Sequence, residues 1–248
     1  MKQLKQKLKN HANLVNKVLS ESKNFSQIIS EDFFTKPPFI FDLTEKNAEL
    51  DSAIIADTKK FQAYISKKIE KNNSLFGIGL YNEDRTIYRR SKLFAQEEEP
   101  RSVHLGLDLW LPESTPIFAP IDGTVHSAQD NNHFGDYGPT IILEHNLDGV
   151  KFYTLYGHLS RKSLGRMKPG KKIVQGERFA RVGNSKENGQ WPTHVHFEII
   201  TDMLGKSGDF PGVSSLSEQD FYTTICPDPN LILNIDSQTE NKSTNKLL

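Results

Sequence analysis

Two short stretches of alternating apolar and polar residues constrain the fold of this chain more than any other feature. The first is residues 104–108 (His-Leu-Gly-Leu-Asp), and the second is residues 194–198 (His-Val-His-Phe-Glu). Side chains alternate between the two faces of a β-strand, so residues at even offsets share a face. Each stretch is therefore predicted to be a half-buried strand with an apolar back and a polar front. The residues on the two polar fronts are His104, Gly106, Asp108, His194, His196 and Glu198.

Four of these residues carry the donor atoms of a metal site. His104 and Asp108 form one pair, and His194 and His196 form the second. Zn²⁺ prefers imidazole and carboxylate donors, and three protein ligands with one open position make a reactive site. The single cysteine, Cys226, excludes an intrachain disulfide and a cysteine-based zinc site. The spacing therefore predicts a zinc site, without assigning the ligands among the four candidates.

The remaining candidates have more ordinary interpretations. We interpret four further histidines as surface or structural residues: His11, His126, His133 and His145. His158 lies at even spacing from Tyr156, so on spacing alone it is a hydrogen-bonded sheet histidine. Glu198 shares a face with His196, and we interpret it as a structural strand residue.

The pattern of apolar residues along the chain changes near residue 100. Before that point, apolar residues recur at helical spacing in residues 2–22 and 45–71. Residues 76–81 and 86–88 are predicted to be the two arms of a β-hairpin, with residues 82–85 as the turn. The G-x-G in the first arm is a weak signal for a phosphate loop, because it lacks the third glycine and the following helix. After residue 100, short apolar runs alternate with turn residues. The strands predicted there are 117–119, 124–128, 140–145, 151–156, 178–182 and 194–200.

These elements predict a mainly β fold. We expect an antiparallel β-sheet or barrel-like domain with an α-rich N-terminal extension. The predicted boundaries divide the chain into an N-terminal extension (1–95), a β-domain (96–205), a C-terminal extension (206–235) and a disordered tail (236–248).

The balance of charge limits the classes of partner. Lysine plus arginine and aspartate plus glutamate each number 31, so the net charge of zero gives no reason to expect nucleic acid or an anionic membrane. No run of about 18 apolar residues predicts a transmembrane helix, and the basic N-terminus lacks the apolar run of a secretory signal. We therefore expect a cytoplasmic protein, with a cell-envelope location as the alternative if it is exported non-classically. The sequence does not indicate an oligomeric state.

The order of the motifs resembles the lysostaphin-type zinc metalloendopeptidases, the LytM-like peptidoglycan hydrolases. H-x-G-x-D at 104–108 is followed by Y-x-H-L at 156–159 and by H-x-H-F-E at 194–198. Intervening segments also follow the family's order: 116–125, 138–145, 170–176 and 181–185. The resemblance covers about residues 100–200 of the chain.

The resemblance implies a role for each candidate residue. His104, Asp108 and His196 would bind Zn²⁺, and His194 and His158 would be the two catalytic histidines. The implied activity is hydrolysis of peptide bonds, in peptidoglycan peptides, by a zinc-activated water. Two alternatives remain open. One is a cytoplasmic zinc hydrolase of the same fold that acts on a small amide or peptide, and the other is a non-catalytic activator or binding module.

The N-terminal extension carries none of the implied chemistry. An N-terminal part packs over the active site and restrains activity in some family members, so we expect residues 1–95 to dock on the β-domain and limit access to the zinc. A separate helical domain used for dimerisation is the alternative. A chain beginning near residue 96 is expected to remain folded, to bind zinc and to show equal or higher peptide hydrolysis. The loop 184–193 is longer than the turn usual in the family and carries Trp191, which leaves the specificity open.

Overall fold

The computed structural model describes residues 2–95 and 99–235. The predicted tail (236–248) and residues 96–98 lie outside this part of the chain. Two 3₁₀-helices span Glu31–Thr35 and Thr86–Arg90. The α-helices are α1 (Lys2–Glu21), α2 (Ser52–Ala56), α3 (Thr58–Lys71), α4 (Lys92–Ala95), α5 (Arg161–Leu164), α6 (Gln219–Ile225) and α7 (Asn230–Leu233). None of the helices described here has the length and apolar content needed to cross a membrane.

In the described residues, the framework is one large sheet and two small ones. The strands are β1 (Phe39–Phe41), β2 (Gly77–Gly79), β3 (Arg101–His104), β4 (Leu107–Trp110), β5 (Pro116–Phe118), β6 (Gly123–Asn131), β7 (Gly138–Leu147), β8 (Val150–Gly157), β9 (Lys172–Ile173), β10 (Arg178–Arg181), β11 (His194–Ile200) and β12 (Val213–Ser215). Within the described residues, the large sheet has the order β1-β2-β4-β11-β8-β7-β6-β9, and the small sheets pair β10 with β5 and β12 with β3. The mainly β fold is thus confirmed. The large sheet is mixed rather than wholly antiparallel, because β1 and β2 pair in parallel.

Most of the predicted elements are present. The two helical patterns correspond to α1 and to α2 with α3, and the strands predicted after residue 117 correspond to β5–β8, β10 and β11. The predicted hairpin is wrong in its second arm, because residues 86–88 belong to the 3₁₀-helix Thr86–Arg90. Asn82 has a φ of 55°, and the side chains of Glu83 and Arg85 are buried. The chain therefore turns towards the interior instead of running back beside β2.

The apolar backs of the two motif strands form the centre of the core. Leu109 of β4 is opposite Val195 of β11, and Leu107 is opposite Phe197. All four side chains are at most 5% exposed, and α1 covers this side of the sheet with apolar residues of the same cluster. Burial of one such side chain stabilises the fold by about 1.5–3 kcal/mol. This layer holds the strands in one orientation and sends the intervening polar residues to the opposite face.

The N-terminal segment is built into the large sheet. β2 pairs with β4, with Gly79 opposite Asp108. α3 contributes Phe61 and Ile65 to a second core cluster, which also holds Trp110 of β4. A separate helical domain is therefore contradicted by the strand pairing, whereas the predicted domain boundary at 95/96 stays a prediction.

Candidate metal centre

The three predicted zinc ligands lie on adjacent segments around β4. Asp108 of β4 is paired with His196 of β11, and His104 is the last residue of β3. The single strand predicted over residues 104–108 is interrupted at 105–106. A Cβ atom on Gly106 would lie 2.6 Å from Nε2 of His196 and 2.8 Å from the carbonyl oxygen of Phe197. The missing side chain at position 106 therefore gives the His196 ring its place beside His104 and Asp108.

The donor atoms of these three residues converge. Nε2 of His104 is 2.9 Å from Nδ1 of His196. Oδ1 of Asp108 lies 3.2 Å from Nε2 of His104 and 3.1 Å from Nδ1 of His196. All three residues are at most 3% exposed. In the part of the chain that the structure describes, no other group of histidine, cysteine or acidic residues converges in this way.

The chemistry of the cluster fits a zinc ion. Nδ1 of His104 donates a hydrogen bond to the Leu80 carbonyl at 2.8 Å, so Nε2 of the neutral ring keeps its lone pair. Burial lowers the pKa of His104 to about 3, and the positive charge of Arg85 acts in the same direction. The neutral ring therefore directs a lone pair at a carboxylate oxygen, a contact that a cation would make favourable. Two imidazole nitrogens and one carboxylate oxygen are also the donor types found in open zinc sites.

The two predicted catalytic histidines stand next to the cluster. The ring centroids of His158 and His194 are 4.1 Å apart, and Nε2 of His194 is 3.9 Å from Oδ1 of Asp108. Nδ1 of His158 donates to the Asn188 carbonyl at 2.9 Å, and Nδ1 of His194 donates to the Pro192 carbonyl at 2.7 Å. Burial is the main cause that lowers the pKa of both rings, to about 4 for His194 and well below the usual value for His158. Both rings are therefore neutral near pH 7, with a lone pair on Nε2.

The location of His158 departs from the interpretation based on spacing. β8 ends at Gly157, and His158 has a φ of 60°, in the left-handed region. Tyr156 belongs to the apolar core. The left-handed residue breaks the strand alternation, so the His158 ring does not follow Tyr156 and lies beside His194 instead. Spacing carried no signal of this turn, and only the family resemblance pointed to it.

His196 has two polar partners behind the cluster. Its Nε2 lies 3.4 Å from Oε2 of Glu198 and 3.3 Å from the hydroxyl of Tyr137. Glu198 is fully buried. A carboxylate next to the far nitrogen of a metal-binding histidine fixes the orientation of the ring and raises its basicity. Glu198 is thus a contact of the candidate centre as well as a strand residue.

A buried ion-pair network behind Asp108 was missed by the sequence analysis. The fully buried Arg85 donates from Nη1 to Oδ2 of Asp108 at 2.6 Å and from Nε to Oε2 of Glu83 at 2.8 Å. Burial alone would raise the pKa of Asp108, but the positive charge of Arg85 acts in the opposite direction and favours the carboxylate. The sequence shows only two charged residues at alternate positions, 83 and 85. Such a pair is more often solvated in a turn, so it gave no reason to expect a buried network.

A cavity of about 200 Å³ lies against Asp108, His158, His194 and His196. Other side chains complete its wall: Tyr88 and Phe94 from the N-terminal segment, Tyr137, and Trp191 of the loop 184–193. The N-terminal segment therefore borders the candidate centre directly. Its effect on access to the metal stays a prediction.

The remaining histidines lie outside the cluster. His145 is buried, where Nε2 is 2.7 Å from the Thr154 hydroxyl and Nδ1 bonds to a backbone carbonyl. His11, His126 and His133 belong neither to the converging group nor to the cavity wall. These positions agree with the surface or structural interpretation.

Comparison with known proteins points to one family. The family model described as peptidase family M23 matches residues 102–207, a range that contains all five predicted site residues. A Haemophilus influenzae protein named as an uncharacterized metalloprotease is 37% identical over 127 residues, which is 49% of this chain and 25% of that protein. The Vibrio cholerae peptidoglycan DD-endopeptidase ShyC is 29% identical over 105 residues, which is 42% of this chain and 22% of that enzyme. The chain thus spans a quarter or less of the length of these relatives.

One solved structure is similar to part of this chain. The catalytic domain of the antimicrobial peptidase lysostaphin from Staphylococcus simulans aligns with 49% of this chain and 80% of that domain, at 23% identity and a TM-score of 0.35. The resemblance identified from the sequence is confirmed at the level of the family by the match over residues 102–207.

Proposed function

Residues 102–207 match the model of peptidase family M23, and from that match we propose that the chain is a zinc-dependent metallopeptidase that hydrolyses peptide bonds in peptidoglycan peptides. One observation carries the proposal: the donor atoms of His104, Asp108 and His196 converge beside two neutral histidines whose Nε2 lone pairs are available. The substrate class is supported by the Vibrio cholerae relative, which is named as a peptidoglycan DD-endopeptidase.

The metal would be held by the three atoms that converge, which are Nε2 of His104, Oδ1 of Asp108 and Nδ1 of His196. The other polar atom of each side chain contacts a group outside the cluster. Zinc bound there would supply Lewis acidity, which lowers the pKa of water to about 7 and polarises the carbonyl of a peptide bond.

His158 and His194 would carry out the proton transfers. Because their Nδ1 atoms are fixed on backbone carbonyls, both rings present Nε2 and are held against rotation. One ring accepts the proton of the attacking water and returns it to the leaving amine, a contribution of about 10²–10⁴-fold in rate. The other ring also presents an Nε2 lone pair, so it would accept a hydrogen bond from the attacking water and help to orient it.

The cavity wall favours a second candidate substrate. Tyr88 and Phe94 of the N-terminal segment stand at the cavity, so a short free peptide would enter more easily than a cross-linked polymer. The chain would then act on small peptides, with the same residues in the same roles. The predicted cytoplasmic location, which would suit this second substrate, stays a prediction.

The test is a digest by the purified full-length chain. Zinc is counted by mass spectrometry, and the chain is offered intact sacculi, soluble cross-linked muropeptides and free stem peptides. We expect about one zinc per chain and cleavage that a chelator abolishes and added Zn²⁺ restores. Cleavage of free peptides but not of sacculi would select the second substrate. Full activity without metal, or a metal-loaded chain that cleaves none of the three, would contradict the proposed function. His126→Ala, which alters a histidine outside the cluster, is the matched control for His158→Ala and His194→Ala.

A further inference from the structure

The side chain of Arg85 makes four hydrogen bonds behind the candidate centre. Its side chain is 0% exposed and lies between β2 and the 3₁₀-helix Thr86–Arg90. Besides its contacts with Asp108 and Glu83, Nη2 donates to the Leu80 carbonyl at 2.9 Å, and Nη1 lies 3.3 Å from the Tyr88 hydroxyl. The guanidinium is thus held by three residues of the N-terminal segment and by one predicted zinc ligand.

The two oxygens of Asp108 have different neighbours. Oδ2 accepts the short hydrogen bond from Arg85, at 2.6 Å. Oδ1 faces Nε2 of His104 and Nδ1 of His196, at 3.2 and 3.1 Å. Arg85 therefore prevents rotation of the carboxylate and leaves one oxygen for the metal.

The same guanidinium reaches a second ligand through one carbonyl group. The Leu80 carbonyl accepts hydrogen bonds both from Nη2 of Arg85 and from Nδ1 of His104. The bond from His104 selects the tautomer that keeps a lone pair on Nε2. Two of the three predicted ligands are thus fixed by Arg85, Asp108 directly and His104 through Leu80.

We propose that Arg85 is a positioning residue of the metal centre, so that the N-terminal segment completes the site as well as bordering it. This inference rests on the proposed function. Arg85 holds Asp108 with one oxygen towards the metal and holds His104 in the required tautomer. Lysine cannot replace it fully, because an ammonium group is a compact point charge without the planar fork that reaches two acceptors in fixed directions.

Two further residues support this arrangement: Gly79 leaves space for the guanidinium, and Glu83 balances its charge. A Cβ atom on Gly79 would lie 2.7 Å from Nη2 of Arg85 and 3.3 Å from Cβ of Asp108. The second glycine of the G-x-G in β2 therefore leaves space for the guanidinium. Glu83 is 9% exposed and pairs with Arg85. Since Glu83 balances the charge of Arg85, the charge of Asp108 remains to attract a dication.

The test compares Arg85→Met and Arg85→Lys with the parent chain. After zinc is replaced by cobalt(II), the visible spectrum reports the number of ligands, because a four-coordinate ion absorbs much more strongly than a five- or six-coordinate one. We expect Arg85→Met to bind one metal ion, to show weaker cobalt absorption as Asp108 rotates and engages both oxygens, and to lose about 10–100-fold in kcat/KM. Arg85→Lys should be intermediate in both readouts. A parental spectrum with kcat/KM within twofold of the parent would overturn the inference.

Controls separate a local effect from misfolding and from failure of the proposed function. Arg89→Met alters an arginine whose side chain is 74% exposed and should match the parent. Glu83→Gln/Arg85→Met removes the buried carboxylate that Arg85→Met alone would leave unpaired. If neither Met variant folds while Glu83→Gln does, Arg85 serves the fold rather than the centre, and the inference is wrong. A parent chain that binds no zinc would contradict the proposed function itself, before any variant is compared.

Discussion

Replacement of Gly106 by alanine gives the sharpest test of how this fold builds its centre. Gly106 lies between His104 and Asp108, in the break between β3 and β4. Its φ does not lie in the left-handed range, so an added methyl group strains no backbone angle there. The effect of Gly106→Ala is therefore steric, and it is directed at the His196 ring.

The size of the effect follows from the space available. The new Cβ would lie 2.6 Å from Nε2 of His196 and closer still to Cε1, whereas ordinary contact begins at 3.4 Å, so the ring must retreat by at least about 0.8 Å. The methyl group cannot move away from the ring instead, because the added Cβ would also lie 2.8 Å from the Phe197 carbonyl oxygen. Metal–ligand distances tolerate about 0.2 Å. A displacement several times larger removes His196 as a ligand, and misplacement on the order of 1 Å costs about 10²-fold in turnover.

The assay has to separate metal loss from unfolding. Overpacking of this kind costs about 1–3 kcal/mol, which a thermal melt of the metal-free protein measures independently of zinc. Competition with a chromogenic chelator then gives the zinc affinity, which we expect to fall by at least the roughly 10–100-fold that follows loss of a ligand's support. Gly165→Ala is the matched control, since its Cβ would meet only the Lys162 carbonyl at 3.7 Å. A Gly106→Ala chain with the zinc affinity and turnover of the parent would refute the steric reasoning.

Two further predictions concern the ligands and the N-terminal segment. His104→Ala should lower both zinc content and turnover, whereas His194→Ala should keep zinc and lose about 10²–10⁴-fold in turnover; equal metal loss in the two variants, measured by mass spectrometry, would reverse our assignment within the H-x-H pair. Phe61→Ala should lower the free energy of unfolding by about 3–5 kcal/mol, because Phe61 is 0% exposed in the cluster it shares with Trp110. Leu14→Ala, at a position 53% exposed, should change it by less than about 0.5 kcal/mol, and two separate unfolding transitions in a denaturant titration would contradict the shared core.

The sequence predicted what depends on local alternation. Apolar residues at alternate positions put Leu107 and Leu109 in the core, and the same period put Asp108 on the opposite face, where it meets His196. The family resemblance then separated His194 from His196, which spacing could not do. The converging donor atoms follow from these two kinds of information together.

Local alternation fails where the backbone leaves the strand. His158 reaches the centre because its φ is 60°, and no glycine or asparagine at that position signals such a turn. The strand predicted over 104–108 is also interrupted, at Gly106. The missing side chain there leaves room for the His196 ring. In both places the local irregularity is what brings an imidazole to the centre.

The role of the N-terminal segment is the largest feature that the sequence did not predict, because it depends on contacts between distant segments. Gly79 lies opposite Asp108 only because β2 pairs with β4, and the residues of β2 do not specify that partner. The pairing also argues against the expectation that a chain beginning near residue 96 folds and binds zinc. Without β2, β4 would become an edge strand with unpaired backbone groups, and such edges are templates for aggregation. Trp110 would lose Phe41 and Phe61, its aromatic neighbours in the second core cluster, while Asp108 would lose Arg85. Because the same strand carries the zinc ligand and the exposed edge, the fold and the centre would fail together in the shortened chain.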